Sequence, residues 1–168
     1  MATKKETETQ VVEEAKVVSM EEEVTKRAPK NALEMLLGAD VGNIKLPTKQ
    51  YEIPRLTQVF GAPFIITLKA LSAEKWEEVQ DMALNIKGKD VDVDNNLLQT
   101  FIVMESTYED EEATKLFFKN KDLMAHFGAA TPKELVKKIL ISGEIVNVYG
   151  EVSNLSGFGD DAVTEVKN

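Results

Sequence analysis

The sequence predicts a mostly α-helical α+β domain, in which a small antiparallel β-hairpin packs against about five short helices. Three observations indicate this class: one stretch alternates apolar and polar residues, several others have helical spacing, and no apolar run approaches the ~18 residues of a membrane span. The alternating stretch is Pro63–Leu71, and most of the helical stretches follow it. Because a two-stranded hairpin is not stable by itself in water, helices are expected to cover its apolar face.

The composition excludes several kinds of chemistry. The 168 residues include no cysteine and one histidine, and their net charge is −9. Without cysteine there is no disulfide scaffold, thiolate zinc site, iron–sulfur cluster or cysteine nucleophile, and one histidine excludes a multi-histidine metal site. The acidic balance argues against a nucleic-acid partner, which would require clustered cations. No cofactor or metal is expected, and the composition favours a binding or assembly protein.

Three segments are predicted. Residues 1–30 contain no aromatic residue and mix six cations with seven acids, which predicts a disordered charged tail; a marginal helix over Val11–Arg27 is the alternative. Residues 31–158 are predicted to form the single α+β domain, and residues 159–168 a flexible tail. The N-terminus lacks the apolar segment of a signal peptide, so we expect a cytoplasmic protein with no membrane partner.

The first elements of the domain follow from caps and alternation. Asn31 can cap a short helix that ends at Gly38. Lys49–Leu56 and Pro63–Leu71 are predicted as strands, and Pro54 places the first strand at a sheet edge because proline has no N–H to donate. One face of the second strand carries Phe64, Ile66, Leu68 and Ala70.

Helices are predicted for most of the remaining chain. Ser72 can cap a helix that extends to about Gly88, and another begins near Asp92–Asp94 and continues to Tyr108. The apolar stripe of the first is Trp76, Val79, Met82, Ala83 and Ile86. A short helix over Lys121–Phe127 ends at Gly128.

The last two helices have specific start signals. Thr131-Pro132-Lys133-Glu134 is a capping box with proline at the first helical position. Ser142 is predicted to cap the final helix, which ends before Gly157.

No catalytic or metal motif is complete. Asp90, Asp92 and Asp94 have the alternate spacing of a calcium loop, but the sixth and twelfth positions hold Asn95 and Phe101 in place of glycine and glutamate. These residues are therefore expected to cap a helix. His126 precedes Gly128 at a helix C-terminus, where a structural role explains it.

The ordered pieces of the chain resemble one family. The segment Glu52–Gln80 resembles one element of the XkdN-like phage tail assembly chaperones, and the segment Leu116–Phe158 resembles the C-terminal half of that family. The second half contains a helix start at Thr131–Leu135, a junction at Leu140–Ile145 and a final Gly157-Phe158. Ser142 stands where this family often has proline.

The resemblance implies a non-enzymatic protein of a phage or prophage, made in the bacterial cytoplasm. Such chaperones bind the long tape measure protein and keep it soluble until the tail tube polymerises around it, and they are generally not retained in the mature virion. The resemblance also implies a possible longer form made by ribosomal frameshifting, and it carries over no catalytic residue. The alternative is a structural tail component, such as a tube or completion protein, and a small enzyme is a third class.

A partner-binding surface can be suggested from the aromatic residues. Phe117 and Phe118 are adjacent, so on a helix their side chains point ~100° apart and only a well-buried site hides both. Either both lie in the core, or one of them contributes to a client-binding or self-association patch together with Met124 or Tyr149.

The negative charge is concentrated in one block. Residues 74–112 contain twelve acids and three lysines, whereas residues 113–140 contain six lysines and two acids. The simple interpretation is a solvated helical face. The alternative hypothesis is that the acidic part of one copy docks on the basic part of the next, forming a homo-oligomer that salt weakens.

Overall fold

The computed structural model describes residues 31–40, 42, 44–87, 90–160 and 162–166. The chain divides into two compact units at the boundary between Lys45 and Leu46. The predicted disordered tail, residues 1–30, lies outside the described residues. The predicted domain boundaries at residues 31 and 158 and the flexible C-terminal tail stay predictions.

The first unit contains the short helix α1, Ala32–Leu37. The side chain of Asn31 accepts a hydrogen bond from the Glu34 N–H at 2.8 Å, and Gly38 follows the last helical residue. Both signals predicted from the sequence are therefore confirmed.

The second unit contains the remaining elements. Its described helices are α2 (Pro54–Phe60), α3 (Ala73–Met82), α4 (Asn95–Ser106), α5 (Lys121–His126), α6 (Pro132–Ile139) and α7 (Ser142–Ser153). Its described strands are β1 (Thr48–Glu52), β2 (Ile65–Lys69), β3 (Leu84–Lys87), β4 (Asp90–Val93) and β5 (Thr107–Tyr108). A 3₁₀ turn, Phe117–Lys119, precedes α5, and a π-helical turn, Asn154–Phe158, extends α7. The mostly helical α+β class is confirmed.

The main sheet has the order β1–β2–β5 and is antiparallel. Tyr51 pairs with Ile66, and Leu68 pairs with Thr107. Ile66, Leu68 and Ala70 are buried, as the alternation predicts, whereas Ile65 on the opposite face is exposed. The predicted hairpin is thus part of a three-stranded sheet in which β2 is central and β1 lies at an edge.

The connection between β1 and β2 corrects the first strand prediction. Lys49–Leu56 is not one strand: β1 ends at Glu52, and Pro54 begins helix α2. A proline at the first helical position loses no hydrogen bond, and its fixed φ suits a helix. Gly61 ends α2 with φ of +68°, a conformation that glycine adopts without strain. The strands are therefore joined through a helix and not by a tight turn.

A second hairpin replaces the predicted end of the Ser72 helix. Helix α3 ends at Met82, and β3 pairs antiparallel with β4. The residues on either side of Gly88 alternate in polarity with period two, a pattern that favours strands over a helix. Asp94 then caps α4 by accepting a hydrogen bond from the Leu97 N–H at 3.0 Å, which confirms a capping role for this aspartate. The predicted helix to Tyr108 is also too long, because Thr107 and Tyr108 pair with β2.

Helix α4 lies at the centre of the core, in contact with α3, α6 and α7. Two of its buried polar side chains bond within the helix: Thr100 donates to the Asn96 carbonyl at 2.7 Å, and Ser106 donates to the Ile102 carbonyl at 2.6 Å. Throughout the described residues, no buried side-chain nitrogen or oxygen lacks a hydrogen-bond partner. The buried polar side chains of the described core are therefore all hydrogen-bonded, while most of the core is apolar. Its fully buried apolar side chains are Leu68, Val79, Ile102, Val103, Phe118, Leu135, Val136 and Val152.

The N-terminal cap predicted for α6 is confirmed, whereas the one predicted for α7 is wrong. Thr131 accepts from the Glu134 N–H at 3.2 Å, and Glu134 accepts from the Ala130 N–H at 2.9 Å, which confirms the predicted cap. Ser142 is not the cap of α7. It is the first helical residue, and the cap position belongs to Ile141, whose N–H donates to the Glu144 carboxylate at 3.0 Å. The prediction failed because the acid inside the helix, and not a hydroxyl before it, satisfies the helix end.

Candidate functional site

The four residues predicted to bind a partner lie in different environments. Phe118 is 1% exposed and belongs to the core, while Phe117, Met124 and Tyr149 are half-buried and pack against the core. The rings of Phe117 and Phe118 meet edge to face, with their centroids 5.1 Å apart. The structure places Phe117 and Tyr149 in two different aromatic clusters, and Met124 lies on α5 outside both. Their role in partner binding stays a prediction.

The first aromatic cluster consists of Phe60, Phe64, Phe117 and Phe118. Phe60 stacks on Phe64 at 5.8 Å, and Phe64 meets Phe117 edge to face at 6.1 Å. The cluster therefore runs from an exposed ring at the end of α2 to a fully buried ring in the core. Val59, next to Phe60 on α2, is 65% exposed. The end of α2 thus exposes two apolar side chains, and one of them, Phe60, is supported by the aromatic cluster.

The second aromatic cluster consists of Trp76, Tyr149 and Phe158. The Trp76 ring lies 4.5 Å from Phe158 and 6.4 Å from Tyr149. The rings of Trp76 and Phe158 border a groove of about 350 Å³, which we call the Trp76 groove. It is lined by Leu71, Ala73, Trp76, Glu77, Gln80, Ser156 and Phe158.

A third surface lies between α4, α6 and α7. This groove of about 580 Å³, which we call the Ile141 groove, is lined by both polar and aliphatic side chains. Ile141 and Val146 are both exposed there, and Lys137 contributes a cation. It is lined by Asn96, Gln99, Thr100, Lys137, Leu140, Ile141, Ser142, Ile145 and Val146.

The sequence alone did not identify Glu105 as a buried carboxylate. The side chain of Glu105 is 5% exposed, and its oxygens lie 2.6 and 2.8 Å from Nζ of Lys119 and 3.4 Å from Nζ of Lys75. A buried carboxylate is costly unless it is paired, and two ammonium groups meet that requirement. The available signal was an acid inside the otherwise apolar run of α4, although its partners are too distant in sequence to identify.

The charge of Glu105 affects its neighbours. The pKa of Tyr108 is raised, first by burial and then by the Glu105 charge. The pKa of Lys75 is raised mainly by its hydrogen bond to Glu78, with the charge of Glu105 adding to it. Glu105 therefore ties Lys119, in the 3₁₀ turn before α5, and Lys75 of α3 to α4.

An ion pair fixes the junction between α6 and α7. Nε and Nη2 of Arg55 each donate to the Glu144 carboxylate at 2.8 Å, and Nη2 also donates to the Ile139 carbonyl at 2.8 Å. The pKa of Glu144 is lowered, first by this hydrogen bonding and further by the Ile141 N–H. The pair ties α2 to the end of α6 and the start of α7.

The described part of the chain contains no group of three or more side chains suited to hold a metal ion. His126 ends α5, where its ring meets Phe127 at 5.4 Å. None of the helices that the structure describes is both long and apolar enough to span a membrane. The described surface is therefore distinguished by its apolar clusters and its charged side chains.

Comparison with known proteins identifies the family. The family model described as "Phage XkdN-like tail assembly chaperone protein, TAC" matches residues 33–168. The chain belongs to the XkdN-like tail assembly chaperone family. The family resemblance predicted from the sequence is thus confirmed, and the role of this family is non-enzymatic.

The chain is also similar to a curated protein in sequence and to a solved structure in fold. The chain is 30% identical over 125 residues to the phage-like element PBSX protein XkdN of Bacillus subtilis (strain 168), covering 70% of this chain and 77% of the relative. A crystal structure of the protein YqbN superimposes with a TM-score of 0.52 at 18% identity, covering 79% of this chain and all of that one. The second comparison supports the fold.

The family motifs acquire structural roles here. Thr131-Pro132 begins α6, and Ser142 occupies the first helical position of α7, where a proline loses no hydrogen bond. Gly157 has φ of +90°, which permits the turn that places Phe158 against Trp76. The motifs therefore shape the two grooves at either end of α7.

Proposed function

We propose that this XkdN-like protein binds the tape measure protein and keeps it soluble during tail morphogenesis. It acts in the cytoplasm of the host bacterium as a phage or prophage product, and it is not retained in the mature virion. Family membership supports the assembly role. Apolar surface on a highly charged chain supports a holdase, because such a protein must offer apolar contacts to its client and remain soluble itself.

We propose the exposed end of the first aromatic cluster as the client-binding surface. Val59 and Phe60 are both exposed near the end of α2, and Phe60 stacks on Phe64, which in turn packs against Phe117. A rigid apolar anchor loses little side-chain entropy on binding, which favours recognition of the apolar face of a client helix. This surface is the observation that carries the proposal.

Co-expression with the tape measure protein tests this surface. The variant Val59→Asp places a charge in the patch and is expected to reduce co-purified tape measure protein at least about tenfold. Val91→Asp is the matched control, since Val91 in β4 is 62% exposed against 65% for Val59. Equal recovery of the client with both variants would contradict the assignment of this surface.

Phe118→Asp serves as the core control. Because Phe118 is 1% exposed, a carboxylate at this position would be buried without a partner, and we expect the variant to unfold. Its circular dichroism should lose the helical signal, whereas that of Val59→Asp should match the parent protein. A folded Phe118→Asp that still loses the client would instead place Phe118 in the binding surface.

A further inference from the structure

Two adjoining grooves form one basic surface on this acidic chain. The first has a volume of about 440 Å³ and is lined by residues of β2, α3, α4, β5 and the 3₁₀ turn before α5. The second, of about 500 Å³, follows the loop after β5. Leu116 and Lys119 line both grooves, so the two are continuous. We call the combined surface the Lys119 surface, and its lysines are Lys69, Lys75, Lys115, Lys119 and Lys121.

The acids that line this surface are already paired. Glu105 is held by Lys119 and Lys75, as described above. Glu109 lies 3.8 Å from Nζ of Lys115. Five lysines against these two glutamates leave an excess of three positive charges among the lining residues. Because the whole chain carries a net charge of −9, the Lys119 surface has the opposite sign to the molecule as a whole.

The lysines remain accessible to a ligand. Lys115 and Lys121 are exposed, and the side chain of Lys119 is 41% exposed although it is paired with Glu105. An ammonium group has three N–H donors, so a lysine that bonds one carboxylate can bond a second. The Lys119 surface can therefore bind further carboxylates without breaking its own ion pairs.

Apolar side chains stand beside these lysines. Leu71 is buried, Leu116 is half-buried and Leu46 is 39% exposed, and all three line the first groove. The volume of this groove is in the range of sites that hold a drug-sized ligand, which is more than one small anion fills. A ligand that uses the whole groove therefore combines negative charge with apolar side chains.

We propose that the Lys119 surface binds an acidic segment of a partner protein, in which carboxylates stand beside leucine-like side chains. The carboxylates pair with the lysines, and the apolar side chains contact Leu46 and Leu116. A nucleic acid fits this surface less well, because it has no aliphatic side chains and the net charge of −9 repels its phosphates. This binding is distinct from that of the tape measure protein at Val59 and Phe60. It is tested with the purified full chain, so failure of either leaves the other unaffected.

Fluorescence anisotropy of labelled peptides tests the charge of the ligand. The probe is a short peptide that carries glutamate and leucine, and its counterpart has glutamine in place of each glutamate. At low salt the glutamate peptide should bind the full chain at least about tenfold more tightly than the glutamine peptide. Raising the salt to about 0.5 M should remove most of this difference. Equal affinity for the two peptides at low salt would overturn the proposal.

Charge reversal on the protein locates the binding surface. The double variant Lys115→Glu/Lys121→Glu should bind the glutamate peptide about tenfold more weakly. Glu105 keeps both of its lysine partners in this variant, and circular dichroism should show an unchanged fold. Lys137→Glu/Lys138→Glu on α6 is the matched control, because it changes the net charge by the same amount, and it should bind like the parent protein. Equal losses in the two double variants would mean that binding follows net charge and not the Lys119 surface.

Leu46→Ser tests the apolar part of the contact. It should weaken binding of the glutamate–leucine peptide about fivefold and leave binding of a glutamate–alanine peptide unchanged, because only leucine reaches the apolar wall. Leu84→Ser is the matched control, since Leu84 in β3 is also 39% exposed, and it should bind both peptides like the parent protein. The same loss with Leu84→Ser, or no loss with Leu46→Ser, would contradict the apolar contact.

Two further measurements distinguish other occupants. A labelled single-stranded DNA of similar length should bind more weakly than the glutamate peptide, and tighter binding would assign the surface to phosphates. In sedimentation velocity, Lys115→Glu/Lys121→Glu should match the parent protein. If this variant lost a self-association that Lys137→Glu/Lys138→Glu retained, the occupant would be a second copy of the chain. Either of these contrary results would overturn the proposal of a separate acidic partner.

Discussion

The two ends of helix α7 are held by different chemistry. At the N-terminal end, Glu144 accepts hydrogen bonds from the Arg55 guanidinium and from the Ile141 N–H. At the C-terminal end, the Tyr51 hydroxyl donates to Glu151 at 2.8 Å, and the Leu71 N–H donates to Ser156. One end is thus fixed by a charged pair with bidentate geometry and the other by neutral donors.

The difference teaches that the two ends of α7 are not held equally firmly. A bidentate pair between opposite charges is stronger and more directional than a single hydrogen bond from a neutral donor. The N-terminal end of α7 is therefore expected to be the more firmly held of the two.

The largest effect is expected when the charged end is broken. Glu144→Gln removes the charge that pairs with Arg55 and weakens the cap of α7, so the free energy of unfolding should fall by about 2 kcal/mol. Urea denaturation monitored by circular dichroism measures this change. Glu112→Gln, at an exposed loop position, is the matched control and should change stability by less than about 0.5 kcal/mol. A Glu144→Gln variant as stable as that control would show that the Arg55–Glu144 pair does not stabilise the fold.

Lowering the pH should also weaken the N-terminal end of α7. The pKa of Glu144 is lowered in the folded protein, so its contribution to stability is present above the ordinary glutamate pKa of about 4.3 and is lost as the pH falls through the lower, folded value. The pKa values of Glu134 and Asp110 are lowered too, mainly by backbone hydrogen bonds. Glu144→Gln should therefore show a shallower acid loss of stability than the parent protein, but not a flat profile. Superimposable pH profiles for the two proteins would contradict this assignment.

A smaller effect is expected at the neutral end. Tyr51→Phe removes one hydrogen bond to Glu151 and should lower stability by about 1 kcal/mol at neutral pH. Burial, together with Glu151, raises the pKa of Tyr51 to about 12. The parent protein should therefore lose stability as the pH rises from about 10, the ordinary tyrosine pKa, through this value. The profile of Tyr51→Phe should be flatter there, and an equally steep loss would assign the alkaline transition to another group.

The smallest effect on stability is expected at Phe158. Because its ring is mostly exposed, Phe158→Ala should change the free energy of unfolding by less than about 0.5 kcal/mol. Thermal unfolding measures this change. A loss above about 2 kcal/mol would mean that Phe158 is a packing residue of the fold despite its exposure.

Local signals explain the parts of the fold that could be predicted. Asn31, Ser72 and Thr131 cap helices as expected, because each bond spans only three residues. The alternation over Pro63–Leu71 likewise identifies β2 and its buried face. Short-range hydrogen bonds and periodicity depend on residues that are close together in the chain, so the sequence is enough to predict them.

The parts that could not be predicted depend on distant partners. Pro54 fits an edge strand or a helix start, and only the packing of α2 selects the second. Glu105 reads as a helix residue until Lys119 and Lys75 converge on it. The Trp76 and Ile141 grooves combine residues from several elements, so the sequence predicted Tyr149 as a site residue but not Phe158 or Ile141.

Quantitative mass spectrometry of infected or induced cells and of purified tails tests the central claim most directly. A tail assembly chaperone for the tape measure protein should be present in the lysate, should co-purify with the unassembled tape measure protein, and should be depleted from finished tails. Recovery of this chain from purified tails in fixed stoichiometry with the tube subunits would contradict the claim and make it a structural tail component.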